Sequence, residues 1–216
     1  MSITHTSVSA TSETSGIFAE AVGGIATIVL AIIALAGTAS GFLLSIATIV
    51  FGAALLIEGT SITSDYVNVV SASGTETSFH SGFGGLAAVF MAGIAGIILG
   101  VLALLGINAG VLCAVAVIVF GSALLLSSSA MLNLHTFKVR LSGETFPFTA
   151  AAGSAGAQVL AGIAAVVLGI LAVAGTGMQT LALVALLVLG AAILVTGNGM
   201  NNAVTTMFRA PRERAV

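Results

Sequence analysis

Two carboxylates lie where a carboxylate could do chemistry. Glu20 sits one turn into the first of six apolar stretches and Glu58 ends the second. An ionisable group in hydrocarbon is a candidate cation ligand or a link in a proton relay, because its charge is costly there unless an ion, a proton or a dipole compensates it. Glu20 and Glu58 are therefore the ion-binding candidates of this chain. Their position argues for a blander role, since both fall near a span end, where a side chain snorkels to headgroup water at little cost.

The other reactive residue types form no constellation. His5, His80 and His135 are far apart, and none has the HxxxH or ExxH spacing of a metal site. They are expected as solvated or interfacial residues. Cys113, the single cysteine, lies in the fourth apolar stretch, cannot form an internal disulfide and reads as a small packing residue. The glycines fall in spans and turns, with no GxSxG, Walker-type or dinucleotide pattern in a strand-to-helix setting. No catalytic residue, cofactor or metal is expected, and the chain reads as a non-enzyme.

The elements that position these residues follow from composition and repetition. Hydrophobic residues make up 58% of the 216-residue chain and charged residues 6%. Six segments, 17–36, 42–57, 84–105, 111–126, 154–174 and 180–196, approach or exceed the length that crosses roughly 30 Å of hydrocarbon at about 1.5 Å per helical residue. This is the composition of a multi-pass membrane protein whose first partner is lipid. A net charge of -2 without a basic block excludes an electrostatic case for nucleic acid. The tail 1–16 has nine Ser and Thr and no Lys or Arg. It lacks the basic region of a signal peptide, so the first span is expected to be retained.

The chain repeats itself three times at a spacing of 69 residues. Gly24-Ile25-Ala26 returns as Gly93-Ile94-Ala95 and Gly162-Ile163-Ala164, and residues 24–37 match 93–106 at 8 of 14 positions without a gap. The organisation is a tail (1–16), repeat 1 (17–61), a linker (62–83), repeat 2 (84–130), a linker (131–153), repeat 3 (154–199) and a tail (200–216). In this register Glu58 corresponds to Ser127 and Thr196, and Glu20 to Val89 and Gln158, so neither carboxylate recurs.

Small residues mark the packing faces. In the first helix of each pair they read Gly24, Thr27, Ala31, Ala34, then Gly93, Gly96, Gly100, Ala103, then Gly162, Ala165, Gly169, Ala172. Because helices in lipid associate by close backbone approach, helices 1, 3 and 5 are expected to meet along this stripe around a pseudo-threefold axis. Gly52-Ala53-Ala54, Gly121-Ser122-Ala123 and Gly190-Ala191-Ala192 should seat each second helix against a neighbour. Ala47, Ala116 and Ala185 are placed on outer faces, free to accept another copy of the chain.

The linkers read as strand, turn, strand. Asp65-Tyr66-Val67-Asn68-Val69-Val70 precedes Ser73-Gly74, and His135-Thr136-Phe137-Lys138-Val139-Arg140-Leu141 precedes Ser142-Gly143. Segments 12–15 and 203–208 would supply a third pair from the tails. The expected fold is thus an all-α membrane protein of six transmembrane helices in three tandem pairs, with pseudo-threefold symmetry and short β-hairpin-like linkers on one face. Exposed strand edges and outer alanines together predict a homo-oligomer.

The pattern Gly-Ile, aliphatic run, Gly or Ala, aliphatic run, Gly, short turn, then an aliphatic run closing on Gly and a small polar residue resembles the HdeD family of bacterial inner-membrane proteins associated with acid resistance. The residues that carry it are 93–106 with 111–129, 162–175 with 181–199, and 24–37 with 42–60. Here the helix-pair turns lack the Asn-Pro common in that family, and the linkers are longer. The resemblance implies a structural or stress-response membrane component and supplies no catalytic residue. A likeness to the proteolipid c subunits of rotary ATPases fails, because the only second-helix carboxylate, Glu58, lies at the helix end rather than its middle. The alternative function is a small channel or ion-translocating subunit, which needs a continuous polar lining where a structural protein has a closed apolar axis.

All five basic residues, Lys138, Arg140, Arg209, Arg212 and Arg214, fall in the second linker or the C-terminal tail. The positive-inside tendency puts both linkers and both termini in the cytoplasm of a cell with the protein in its inner membrane. Single cysteines at Ser40 and Ser73, each in a Cys113→Ala background, test this. An impermeant thiol reagent added to intact cells labels the Ser40 site and spares the Ser73 site; the reverse pattern inverts the topology.

Overall fold

A computed structural model describes residues 6–37, 39–73, 79–142, 148–175 and 177–209, with side-chain detail for 21–37, 39–60, 87–128, 156–175 and 177–195. Every element among them is helical: α1 (Thr6–Leu35), α2 (Ser40–Ser73), α3 (Phe79–Leu104), α4 (Ala109–Ser142), α5 (Phe148–Val173) and α6 (Met178–Arg209). Five carry stretches apolar and long enough to cross a membrane: Ser40–Thr60, Ala87–Leu104, Ala109–Ser128, Gly156–Val173 and Met178–Val195. The corresponding stretch of α1 is Ala21–Leu35.

The strand reading of the linkers is overturned. Residues 65–70 continue α2 and residues 135–141 continue α4, while 12–15 belong to α1 and 203–208 to α6. The physical reason is the absence of a breaker. No glycine or proline occurs between Thr60 and Ser73 or between Ser122 and Ser142, and the helices end immediately before Gly74 and Gly143. A short β-branched run attached to an established helix adds one hydrogen bond per residue without a new nucleus, so propagation overrides local strand preference. Segments 74–78 and 143–147, the expected turns and the starts of the return strands, lie outside the described residues.

The helices form a ring in chain order, each packed on the next, with α6 returning to α1; inside it α2, α4 and α6 also pack on one another. The odd-numbered helices therefore do not converge on an axis along their small-residue stripe, as expected from sequence. Each sits between two even-numbered helices and turns its stripe toward them. A Cβ built on Gly93 of α3 would lie 2.8 Å from the carbonyl oxygen of Gly52 on α2, and one on Gly52 would lie 2.8 Å from that of Gly93. Gly121 of α4 and Gly162 of α5 stand in the same relation at 2.7 and 2.8 Å, and Gly190 of α6 and Gly24 of α1 at 3.1 and 3.2 Å. Each is a helix crossing in which backbone touches backbone, a contact any larger side chain would prevent.

The even helices supply the core. Leu44, Ala47, Phe51 and Leu55 of α2, Cys113, Ala116, Phe120 and Leu124 of α4, and Ala182, Ala185, Leu189 and Ile193 of α6 are buried. Ala47, Ala116 and Ala185 are each 0% exposed, which removes them from the outer surface assigned to them by sequence. The rings of Phe51 and Phe120 meet at 4.9 Å between centroids with a 58° tilt, within the edge-to-face range of aromatic pairs. The outward faces of α1, α3 and α5 carry Ile25, Val29, Ile32, Met91, Ile98, Leu160, Ile163 and Ile170, all exposed. An apolar outer belt over a packed core is the arrangement a hydrocarbon solvent selects.

One turn joins the helices within each of the three pairs. Gly37, Gly106 and Gly175 have φ of 91°, 85° and 111°, and two residues on Ala39, Asn108 and Gly177 have φ of 45°, 40° and 71°. In the second turn Gly106 N–H donates to the Ala103 carbonyl at 3.1 Å and Ile107 N–H to that of Leu102 at 3.3 Å, the paired bonds of a helix-terminating left-handed glycine. The carbonyls of Ala39, Asn108 and Gly177 then accept from the N–H of Leu43, Leu112 and Leu181, starting the next helix.

Gly96 is the most constrained stripe position, because a Cβ there would overlap the Phe120 ring. Its counterparts in the third repeat are Ala165 and Leu189, both buried. Gly96→Ala lowers stability by about 1–3 kcal/mol through overpacking, and Gly96→Leu by more. Adding Phe120→Leu to Gly96→Ala restores most of the loss. Unfolding midpoints of the three variants in detergent check this; an unchanged midpoint for Gly96→Leu contradicts the packing.

Candidate functional site

Position 58 belongs to the inward series of α2 formed by residues 44, 47, 51, 55 and 58, spaced three or four apart, and the helix therefore delivers Glu58 to the interior. Glu58 is 5% exposed. It lies two residues inside the end of the apolar stretch Ser40–Thr60, yet it turns into the bundle instead of snorkelling outward. Across the interior the Nε2 of Gln158, on α5, donates to Glu58 Oε1 at 3.4 Å. Gln158 is itself 6% exposed. This is a long contact for a hydrogen bond, but it joins two buried polar side chains 100 residues apart in sequence, on helices that are not ring neighbours.

Ser127 and Ser128 of α4 are buried near the same end of the bundle. Both hydroxyls donate to the carbonyl of Leu124, at 3.1 and 2.6 Å. Back-bonding of this kind satisfies a hydroxyl proton in a non-aqueous interior and leaves the oxygen as an acceptor. Toward the opposite end, Thr27, Ser45 and Thr48 donate in the same way to the carbonyls of Gly23, Gly41 and Leu44. Cys113 Sγ lies 4.0 Å from Ser45 Oγ. The thiol is buried among α2 and α4 residues, the packing position read for it from sequence.

The packing residues named from the stripe, Gly24, Ala31, Gly93, Gly96, Gly100, Gly162, Ala165 and Gly169, are all buried. Gly100 packs against Ile49 and the Ser45 carbonyl, Gly169 against Ile118 and the Ala114 carbonyl. Of the two carboxylate candidates, Glu58 meets a buried amide on another helix. The backbone of Glu20 continues α1 one turn before Gly23, which packs on Ala54; its side chain lies outside the described residues. Sequence reasoning passed over Gln158 except as the register equivalent of Glu20. The signal available was an amide within an apolar span, which in lipid needs a partner on another helix.

The chemistry placed across the interior here is that of one carboxylate and one amide, Glu58 and Gln158. Among the described residues no group of three or more His, Cys, Asp or Glu is placed to hold a metal ion. Compared with known proteins, the chain matches no family model, no curated protein and no solved structure. Gln158→Leu removes an amide that donates to a nine-tenths-buried carboxyl and costs about 1–3 kcal/mol. Equilibrium unfolding in mixed micelles measures this, and a midpoint equal to that of the unaltered protein shows that the long contact contributes nothing.

Proposed function

We propose that this chain is a non-catalytic, multi-pass protein of a bacterial inner membrane, with both termini cytoplasmic, whose three helix pairs close into a sealed pseudo-threefold bundle of structural or stress-response type. The observation that carries this reading is the filled interior. Between the Phe51–Phe120 contact and the alanines at 47, 116 and 185, the space enclosed by α2, α4 and α6 is occupied by fully buried side chains. Hydroxyls in that region are turned back onto their own helices, so they offer no continuous polar lining. The 69-residue recurrence of the three glycine crossings and of the three turns supports the pseudo-threefold arrangement. The resemblance to the HdeD family supports the stress-related assignment and rests on the sequence pattern alone.

Lipid acyl chains are the partner that fits the exposed aliphatic faces of α1, α3 and α5. The homo-oligomer expected from sequence finds no support in the outer alanines, since Ala47, Ala116 and Ala185 are buried, or in residues 65–70 and 135–141, which are helical; the oligomeric state measured in detergent decides it.

A small ion-translocating protein is the second reading, and the buried Glu58–Gln158 pair favours it. Reconstituted proteoliposomes separate the two. The sealed-bundle reading expects sodium, potassium and proton uptake no faster than in protein-free vesicles; protein-dependent flux that Glu58→Gln abolishes establishes translocation instead.

A further inference from the structure

We propose that the turn end of the bundle is a lipid-interface surface, with Phe42, Leu105 and Ile107 seated at the boundary between the headgroups and acyl chains of the leaflet it faces. Length sets this depth. Polar sequence begins at 58–65 of α2, 127–129 of α4 and 196–202 of α6, while these helices run on to Ser73, Ser142 and Arg209. Between that level and the turn, α6 offers Met178–Val195, 18 residues, and α2 and α4 offer the register equivalents 40–57 and 109–126. At 1.5 Å per residue such a stretch measures about 27 Å, and crossing roughly 30 Å of hydrocarbon uses all of it. Beyond it lie only the short turns 36–39, 105–108 and 174–177. The bundle therefore extends past the bilayer on one side and stops at it on the other.

The side chains fit that depth. Segments 21–57, 81–137 and 145–208 include no Asp, Glu, Lys or Arg, so the turn end is uncharged. Leu105 is 72% exposed, Phe42 61% and Ile107 55%. Leu105 continues the outward series of α3 formed by Ile94, Ile98 and Val101, all exposed and spaced three or four apart. The apolar belt thus runs onto the second turn without a polar rim, and what covers the belt covers the turn. Two polar side chains here satisfy each other: Ser40 Oγ donates to Gln179 Oε1 at 2.9 Å. The headgroup layer is wet, so Ser40 stays within reach of a water-soluble reagent. This inference rests on the membrane-spanning reading of the bundle and adds to it the partner of one end.

The chain has no tryptophan, so a single introduced indole reports its own depth. Full-length Ile107→Trp, Phe42→Trp and Ile94→Trp are reconstituted in vesicles of phosphatidylethanolamine and phosphatidylglycerol. The lipids carry a nitroxide near either the carbonyl or the methyl end of the acyl chain, and iodide on both sides of unlabelled vesicles serves as the aqueous quencher. Ile94 lies about 15 Å deeper than Leu104 by helical rise and marks the belt. The expected result for both turn variants is blue-shifted emission quenched at least about twofold more by the shallow nitroxide than by the deep one. Ile94→Trp shows the reverse order. Phe42→Trp exchanges one exposed aromatic for another and carries the test if Ile107→Trp fails to fold. Red-shifted emission quenched by iodide at the turns puts this end in bulk water, and quenching by none of the three reagents puts a protein surface over it. Either result, with deep quenching kept at Ile94→Trp, overturns the proposal and leaves the membrane-spanning reading standing. An Ile94→Trp indole that neither nitroxide quenches removes both.

Discussion

Backbone contact between glycines holds this molecule's architecture. At Gly52 with Gly93, Gly121 with Gly162 and Gly190 with Gly24, two helices approach until the carbonyl of one glycine occupies the space a side chain on the other would need. In water such crossings would be secondary to burial of apolar surface. In lipid, where the outside of the bundle is as apolar as the inside, van der Waals contact and close-range dipole interactions remain the attraction between helices, and their strength depends on distance. The three crossings join different repeats, α2 to α3, α4 to α5, and α6 back to α1. Short turns already hold together the two helices within a pair, so the crossings supply what the covalent chain does not.

The core follows from that closure. Once each odd helix is drawn between two even ones, α2, α4 and α6 are brought face to face, and their inward positions must fill a narrow space. Alanine at 47, 116 and 185 is fully buried there, and four residues on in each helix Phe51, Phe120 and Leu189 are fully buried too, with the two rings in contact. The Phe120 ring in turn claims the volume beside Gly96. A methyl group at that position exists in the third repeat, where leucine replaces the ring. Size is thus exchanged between the two helices of one repeat, and the repeats are alike in register while differing in the side chains that complete each contact.

Polar groups in the bundle are managed by two devices. Hydroxyls at 27, 45, 48, 127 and 128 return their protons to carbonyls three or four residues earlier on their own helices, a local solution that any helix can provide. Glu58 and Gln158 have side chains too long and too polar for that solution and meet each other across the interior. At the polar end of the bundle the 69-residue register carries unlike side chains, glutamate, serine and threonine at 58, 127 and 196.

Much of the fold was legible in the residues themselves. The 69-residue register, the helical character of the spans, the glycine turns and the burial of the small-residue stripe are local or periodic properties, set by apolar period, conformational freedom at positive φ and side-chain size. Tertiary structure decided the pairing. A stripe of small residues marks a face that another helix can approach closely, but it does not say which helix, and the stripes face the even helices where convergence on one another was equally compatible with the pattern. The linkers escaped sequence reading because a six-residue β-branched run suits a strand or the tail of a long helix, and only the uninterrupted helix before it settles the choice. The meeting of Glu58 with Gln158 was beyond any local signal. It spans 100 residues and exists only because the ring of helices closes, which brings two positions with no sequence relation to the same end of one interior.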